Sequence, residues 1–284
     1  MEADAGTSSA LRGLKIGTLF RTKTHKMDPV NMFVPSSSGT VSDYRDIFEL
    51  RGRLYHQAMR TFPDARANEF LSVIREANIA PKMNVVDVPS GGGYLSRYLC
   101  DVELIGLEAS QTFAQLATER SQNVLLYEDN HFPLKDACAD RVLSIAGLHH
   151  VKDKCNLFSE IRRILKPSGC VVIADVAEDS CVRSFLDDFV GHYNETGHSG
   201  WYFGDTTRLE LREAGLNIVG DKQLDYLWCA PDIDQLAEFC RLLFGMVHAD
   251  TSTVADGIRD YLGIHELGDQ VGLNWQLHCF SCES

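Results

Sequence analysis

A buried strand that runs directly into a glycine-rich turn is the feature that most restricts how this chain can fold. Residues 85–99 read VVDVPSGGGYLSRYL. The β-branched residues predict a strand covered on both faces, as in a parallel sheet between two layers of helices. Leu95, Tyr98 and Leu99 have helical spacing and predict a helix after the turn. The N-terminus of that helix would face a nucleotide-like ligand bound on the turn.

Two kinds of nucleotide cofactor are bound by turns of this type. A dinucleotide turn has the pattern Gly-x-Gly-x-x-Gly, but after Gly91 and Gly93 the third position is Ser96. The other pattern is acidic-x-Gly-x-Gly-x-Gly, the turn of the class I S-adenosylmethionine-dependent methyltransferases. The chain resembles that family through Asp87 and the two glycines, with Pro89 in place of the first glycine. An Asp at the start of the turn suits a ligand with an ammonium and a sulfonium, and suits a pyrophosphate badly.

A second strand, over residues 102–108, ends in an acidic residue. Glu108 lies about 20 residues after the first turn and is followed by Ala109, which is the spacing of a carboxylate that binds ribose. In the family that the chain resembles, this residue accepts hydrogen bonds from both ribose hydroxyls. The alternative is that Glu108 caps the helix predicted from Ser110.

A third strand ends in an acidic loop. Residues 128–134 read EDNHFPL and are similar to the family's loop that contacts the adenine amino group. Glu128 and Asp129 both fit the acidic position, and we favour Asp129, with Asn130 beside it.

Two further strands complete the resemblance. The fourth strand ends in the sequence AGLHH at residues 146–150, and a helix that stops at Pro167 and Gly169 leads to the fifth strand. Both LHH and LKPxG are familiar in small-molecule methyltransferases of the type 11 (UbiE-like) group. The resemblance covers residues 83–176, about a third of the chain. The candidate cofactor-binding residues are Asp87, Pro89, Ser90, Gly91, Gly93, Glu108, Ala109, Asp129, Asn130 and Ala146.

The resemblance implies an α/β, Rossmann-like fold. Its sheet would have seven strands in the order 3-2-1-4-5-7-6, with only the last strand antiparallel and with helices on both faces. We expect a partly ordered arm over residues 1–40, an N-terminal helical cover over residues 41–82 and the methyltransferase domain over residues 83–284. Residues 229–269 would form a helical insertion before the last strand and serve as a lid or a dimer face.

Three histidines are candidate catalytic residues. Methyl transfer needs an aligned acceptor and the exclusion of water, and a hydroxyl or protonated amine must also lose a proton. His149 and His150 follow the fourth strand at its carboxyl end, where open α/β sheets bind ligands. His198 lies in a glycine-flanked loop with three aromatic residues. A histidine can act as a base near neutral pH, and a purely structural role in the loop is the alternative.

Four aromatic residues are candidate substrate contacts. Tyr44 and Tyr55 belong to the predicted cover, and Trp201 and Tyr202 belong to the loop with His198. Their ring faces could stabilise a cationic substrate or the sulfonium. Packing of these rings in the core is the alternative interpretation.

Composition restricts the partners. The formal net charge is −13, with 40 acidic and 27 basic residues, and such a surface repels phosphate backbones. No apolar run approaches the length of about 18 residues that a membrane span needs. Nine cysteines without a secretory signal favour reduced thiols and a cytoplasmic location. We therefore expect a small-molecule substrate, no nucleic acid and no membrane, and a homodimer is compatible with the insertion.

No metal site is predicted, because the group formed by His278, Cys279 and Cys282 lacks a second cysteine pair.

The sequence predicts an enzyme that moves a methyl group from S-adenosylmethionine to an oxygen, nitrogen or sulfur atom of a small molecule and leaves S-adenosylhomocysteine. Two alternatives stay open. One is an NAD-dependent oxidoreductase, and the other is a non-catalytic binding or dimerisation module, because Pro89 removes one amide donor from the turn.

Overall fold

A computed structural model describes residues 43–120, 122–128 and 131–284 of the chain. The predicted arm over residues 1–40 lies outside these ranges, as do Asp129 and Asn130.

One mixed sheet forms the centre of the molecule. In the described ranges its strands are β1 (Asn84–Asp87), β2 (Glu103–Glu108), β3 (Val124–Leu126), β4 (Ala139–Ile145), β5 (Leu165–Asp175), β6 (Asn217–Ala230), β7 (Ile264–Glu266) and β8 (Val271–Glu283). Their order is β3-β2-β1-β4-β5-β8-β6, and β7 pairs with β8. The first five strands are parallel, and β8 is antiparallel to β5, β6 and β7.

The predicted fold class and strand order are confirmed, with one addition. The prediction of seven strands missed β7, which has three residues and lies inside the segment predicted as a helical insertion. So short a strand contains too few residues for an alternating pattern to be visible. Its pairing with β8 depends on the tertiary structure.

Helices cover both faces of the sheet. The N-terminal cover consists of α1 (Tyr44–Thr61) and α2 (Ala67–Ala77). The remaining α-helices of the described ranges are α3 (Gln111–Glu119), α4 (Cys155–Ile164), α5 (Cys181–Ser184), α6 (Gly191–Tyr193), α7 (Asp205–Glu213), α8 (Ile233–Leu243) and α9 (Thr251–Tyr261). A π-helical turn (Phe185–Val190) connects α5 to α6 without a break.

The element after the glycine turn is shorter than the predicted helix. It is a 3-10 helix of five residues, Tyr94–Tyr98. The chain reverses soon afterwards at Asp101, whose φ is 57°, and β2 begins at Glu103. The early start of β2 leaves no room for a longer helix.

Successive side chains of the central strands belong alternately to two separate apolar cores, one on each face of the sheet. Val85 of β1 and Val172 of β5 belong to the core under the N-terminal cover and the insertion, whereas Val86 and Val171 belong to the core under α4 and α7. This alternation explains the continuous apolar runs in the strand sequences, because both faces of the sheet are covered.

The strands β6 and β8 form a long ribbon that extends past the parallel strands. Asp175, the last residue of β5, pairs with His278. The residues of β8 that precede His278 pair with β6, for example Trp275 with Tyr226. The ribbon therefore projects beyond the carboxyl edge of the parallel strands, and α8 and α9 connect its two strands there.

All nine cysteines are free. Among the helices of the described ranges, none has the length and apolar character needed to cross a membrane.

Candidate functional site

The glycine turn places a backbone amide on a carboxylate. Gly91 and Gly93 have φ values of +53° and +74°, which glycine adopts without strain. The amide of Gly91 donates a hydrogen bond to Oε2 of Glu108 over 2.6 Å. Pro89 packs against Gly147 at the end of β4, where an added Cβ would lie 2.6 Å from Cγ of the proline. Gly147, two residues after the end of the neighbouring strand β4, therefore leaves room for the proline in the turn.

Glu108 is fully buried at the carboxyl end of β2. Besides the amide of Gly91, its carboxylate accepts hydrogen bonds from the amides of Ala109 and Ser110 and from the hydroxyl of Tyr44. Burial raises the pKa of Glu108 to about 8, although the hydrogen bonds from Ser110 and Gly91 act in the opposite direction.

Glu108 does not cap the helix that follows it. Oγ of Ser110 accepts the amide of Phe113, and the carboxylate of Glu49 in α1 accepts the amides of Gln111 and Thr112. These acceptors satisfy the first turn of α3. Glu108 is instead fully buried beside the turn and bonded to protein donors, and it is not among the residues that line the cavity there. Glu49 joins the cover to α3.

Asp87 is a second buried carboxylate at this edge of the sheet. Its side chain is 5% exposed, lines the cavity beside the turn and makes no hydrogen bond or ion pair within the described ranges. Burial, and then the charge of Glu108, raises the pKa of Asp87 well above its ordinary value. Two buried acids without a cationic partner suit a ligand that brings a positive charge. This arrangement fits S-adenosylmethionine, which carries an ammonium and a sulfonium.

The cofactor cavity lies between the glycine turn and α1. It measures about 40 Å³ and is closed by aromatic rings, and its lining also includes Ser90, Ala146 and Gly147. Oγ of Ser90 is buried without a hydrogen-bond partner in the described chain. An outer cavity of about 620 Å³ adjoins it, lined by Ala109, Tyr127 and Val151 among others. The predicted adenine-binding residues Asp129 and Asn130 lie outside the described residues.

A second cavity of about 40 Å³, which we call the acceptor cavity, brings the three predicted histidines together. The ring centroids of His149 and His150 are 4.1 Å apart, and those of His150 and His198 are 5.4 Å apart. The opposite wall holds Trp228 and Trp275, which stack at 3.9 Å between centroids. Ala146 lines both this cavity and the cofactor cavity. The two cavities are therefore neighbours.

His149 is oriented by a buried acid. Its Nδ1 lies 2.6 Å from Oδ1 of Asp175, which is fully buried. Burial alone would raise the pKa of Asp175, but the charge and hydrogen bond of His149 and two backbone amides outweigh it and lower the pKa. The ionised Asp175 thus accepts a hydrogen bond from Nδ1–H of His149 and fixes the orientation of the ring.

Burial disfavours the charged form of His150 and His198. Burial lowers the pKa of His198 to about 4, although its Nδ1 lies 3.3 Å from Oδ1 of Asp187, which acts in the opposite direction. Burial, followed by the charges of His149, His198 and Arg51, lowers the pKa of His150 well below its ordinary value. Nδ1 of His150 is buried without a hydrogen-bond partner in the described chain.

The four predicted aromatic contacts occupy different places. Tyr44 and Tyr55 both line the cofactor cavity, and Tyr55 also lines the acceptor cavity. Trp201 is 49% exposed and lines the outer cavity, 5.1 Å from Nζ of Lys152. Tyr202 is not part of the cavity lining. Its ring stacks on that of His149, and its hydroxyl donates a hydrogen bond to Asp187, the partner of His198. Tyr202 thus helps to hold these two imidazoles in place without lining the cavity.

Several residues of the site were not identified from the sequence. Asp175 ends the fifth strand at the ligand-binding edge, and that position could have indicated it. Arg51, on the buried face of α1, had no such signal. Trp228 and Trp275 reach the cavity only because the β6–β8 ribbon extends past the other strands.

The three imidazoles are close enough to share a metal ion, since their ligand atoms lie within 4.8 Å of one another. The guanidinium of Arg51 lines the same cavity, so its positive charge opposes a cation there. His278 is instead 2.7 Å from Asp221, and Cys279 and Cys282 are buried in the sheet.

Comparisons with known proteins agree with this geometry. Residues 86–173 match the family model of a methyltransferase domain. A glycine/sarcosine/dimethylglycine N-methyltransferase of Actinopolyspora halophila is 26% identical over 188 residues, which cover 61% of this chain and 33% of that protein. A tRNA (carboxymethyluridine(34)-5-O)-methyltransferase of Mus musculus is 26% identical over 122 residues, which cover 42% of this chain and 18% of that protein. The chain thus spans a third or less of the length of these two relatives.

Solved structures share the fold at low sequence identity. A possible histamine N-methyltransferase of Thermotoga maritima has a TM-score of 0.57 and 18% identity, covering 84% of this chain and 99% of that one. The [4+2]-cyclase SpnF has a TM-score of 0.56 and 14% identity, covering 87% and 99%. Residues 86–173 thus match a methyltransferase domain, and the glycine turn and strand order of the chain are similar to those of the class I S-adenosylmethionine-dependent methyltransferases.

Proposed function

We propose that this protein transfers a methyl group from S-adenosylmethionine to an oxygen, nitrogen or sulfur atom of a small molecule. The observation that carries the proposal is the pair of buried acids, Asp87 and Glu108, which flank the glycine turn without a cationic partner in the described chain. Asp87 at the start of the turn suits a pyrophosphate badly, and Ser96 stands where the third glycine of a dinucleotide turn is needed, so both residues disfavour an NAD-dependent oxidoreductase.

The residues of the cofactor cavity have separate roles in this proposal. When bound, S-adenosylmethionine supplies a methyl group on a positively charged sulfur and is left as S-adenosylhomocysteine. Asp87 would pair with its ammonium and Glu108 with its ribose hydroxyls, while the predicted adenine contacts Asp129 and Asn130 stay a prediction. The aromatic rings of α1 exclude water from the cavity, which strengthens these charged contacts.

His149 is the proposed proton acceptor. Asp175 holds the ring through Nδ1 over 2.6 Å, so that a proton from the acceptor's hydroxyl, ammonium or thiol can be taken by Nε2. His150 and His198 enclose the acceptor beside it, and Trp228 and Trp275 form the opposite wall. Alignment within this small cavity supplies much of the rate enhancement that a methyl transfer needs.

The relatives support a small-molecule acceptor, since one of them is named for glycine, sarcosine and dimethylglycine. Another is named for a tRNA nucleoside, but the net charge of −13 opposes a polyanionic substrate here. Free cysteines support a reducing compartment such as the cytoplasm. A homodimer built on the outer surface of α8 and α9 is compatible with the structure and can be tested by sedimentation.

Calorimetric titration of the protein with S-adenosylmethionine, S-adenosylhomocysteine and NAD tests the proposal. We expect the first two to bind and NAD not to bind. Asp87→Asn should weaken the binding of S-adenosylmethionine by about 1–3 kcal/mol, because it removes a charged partner from a buried site. The exposed Asp101→Asn variant is the matched control and should bind normally. Binding of NAD alone would overturn the proposal, and binding of none of the three ligands would favour a non-catalytic module.

A further inference from the structure

Three buried nitrogen atoms in the wall of the acceptor cavity have no hydrogen-bond partner in the described chain. They are Nε of Arg51, Nδ1 of His150 and Nε1 of Trp275. Buried polar atoms in folded proteins are nearly always paired, so a cluster of unpaired ones points to a missing ligand. The arginine and tryptophan nitrogens can only donate. The ligand must therefore supply acceptor atoms.

Arg51 brings an uncompensated positive charge to the same cavity. Its Nη1 donates to the carbonyl of Phe244 over 3.3 Å, and its guanidinium lies 5.1 Å from the ring of Phe48. Within the described ranges no carboxylate lies within ion-pair distance of it. Burial lowers the pKa of Arg51 to about 10, so the group still carries its charge near neutral pH.

The neighbouring Arg66 is a cation whose charge is balanced by a carboxylate of the protein. Arg66 is buried in the wall and is paired with the buried Glu69, which in turn accepts a hydrogen bond from the indole nitrogen of Trp228 over 3.0 Å. A buried charge without such a partner is costly. The contrast indicates that the partner of Arg51 is supplied by a ligand.

The unpaired donors and the imidazoles border one space. The ring of Phe48 lies 5.1 Å from the guanidinium of Arg51 and 5.5 Å from the ring of His150. Arg51 reaches the cavity from α1, and Trp275 reaches it from β8. Donors from two separate elements thus converge on a cavity whose other wall carries the proposed base.

We propose that the methyl acceptor carries a compact monoanionic group, such as a carboxylate, which accepts hydrogen bonds from Arg51 Nε and Trp275 Nε1. This inference rests on the proposed function, and it names the substrate class of the same site. The heteroatom to be methylated then faces His149, and any apolar part of the molecule lies against Phe244 and Trp228. Arg51 is the uncompensated cation of this cavity wall, so a single negative charge balances it. A neutral or cationic acceptor would leave the guanidinium without a partner.

The indole N–H signals of the full-length protein provide a direct test. The chain has three tryptophans, so a nitrogen-15-labelled sample in saturating S-adenosylhomocysteine should give three such signals, and Trp275→Phe assigns one of them. Acetate is the probe, and acetamide at the same ionic strength is its neutral counterpart. We expect acetate to shift the Trp275 signal saturably and acetamide not to do so.

Two arginine variants of α1 form a matched pair. Arg51→Gln should lower the affinity of the protein for acetate by about tenfold or more, because it removes the charged donor. Arg53→Gln, which changes an exposed arginine two residues away, should leave acetate binding unchanged. The signals of Trp201 and Trp228 report whether Arg51→Gln remains folded. If it does not, Arg51→Lys replaces it, and we expect that variant to retain the preference for acetate over acetamide with a lower affinity.

Failure of this inference can be distinguished from failure of the proposed function. The inference of an anionic acceptor would be overturned by any of three results: equal responses to acetate and acetamide, no response to acetate, or unchanged acetate binding in Arg51→Gln. Calorimetric binding of S-adenosylmethionine would still leave the proposed function intact in each case. Conversely, acetate could bind at Arg51 and Trp275 of a protein that fails to bind the cofactor. A saturable shift of the imidazole signals by Zn²⁺ that acetate does not compete with would show a cation site and would also overturn the inference.

Discussion

The hydroxyl of Tyr44 donates a hydrogen bond to Oε2 of Glu108 over 3.1 Å. This bond joins the first residue of α1 to the carboxylate proposed for the ribose hydroxyls. A phenolic hydroxyl therefore occupies a hydrogen-bonding position that the cofactor would use, and the ring of the same residue lines the cofactor cavity. In the proposed site, cofactor binding would replace the hydroxyl of Tyr44 by a ribose hydroxyl.

Replacement of Tyr44 by Phe should tighten the binding of S-adenosylmethionine several-fold, because the competing hydrogen bond is lost. The same change should lower the free energy of unfolding of the cofactor-free protein by about 1 kcal/mol. Calorimetry and urea unfolding measure the two effects. Tyr98→Phe is the control, since its hydroxyl bonds the carbonyl of Pro63. It should lose stability without a change in cofactor affinity. Weaker cofactor binding by Tyr44→Phe would mean that the hydroxyl contacts the cofactor itself.

The burial of Glu108 should make stability fall as the pH rises. Its ordinary pKa is 4.5, and in the folded protein the pKa is raised to about 8. Between these values the folded protein holds a proton that the unfolded chain has released, so its stabilising effect is complete below 4.5 and is lost as the pH approaches 8. Glu108→Gln should flatten this slope in urea unfolding measured across that range, whereas the exposed Glu119→Gln should keep it. A slope that is unchanged in Glu108→Gln would contradict the raised pKa.

Replacement of Asp175 by Asn should slow methyl transfer without changing cofactor affinity. The amide cannot hold His149 as the carboxylate does, so we expect kcat to fall by about 100-fold and its pH dependence to shift. Because Asp175 also accepts the amides of Leu148 and Val176, stability should fall as well. The pH profile separates the two effects, because a loss of stability alone would not move it. The variant that combines Asp175→Asn with His149→Gln should be no slower than His149→Gln alone, and a further large loss would show that Asp175 acts independently.

Replacement of Gly147 by Ala should destabilise the protein by about 1–3 kcal/mol through overpacking. Its φ is −143°, so the expected cost comes from the contact of 2.6 Å with Cγ of Pro89 rather than from backbone strain. Thermal unfolding measures the change. Adding Pro89→Gly should recover most of it, and a double-mutant cycle should show coupling between the two sites. Pro89→Gly alone should alter cofactor affinity little. Additive effects would indicate that the two residues are not in contact.

The residues of the proposed cofactor site could be placed together from the sequence because they are local to the strands. Asp87, Gly91 and Gly93 lie within seven residues of one another, and Glu108 ends the adjacent strand. Parallel strands bring their carboxyl ends to one edge, so a linear pattern was enough to bring these residues together. The same reasoning places His149 at that edge.

The acceptor half was decided by the tertiary structure. Arg51, Trp228 and Trp275 are distant in sequence, and each resembles an ordinary residue of an amphipathic helix or a strand. They meet because α1 lies over the sheet and because the β6–β8 ribbon extends past its edge. Whether a side chain buried in this way is paired with a neighbour depends on three-dimensional packing, which periodicity does not encode. The sequence by itself thus determined the fold and indicated the cofactor, whereas the packing of distant elements decided the shape and charge of the space beside the proposed cofactor cavity.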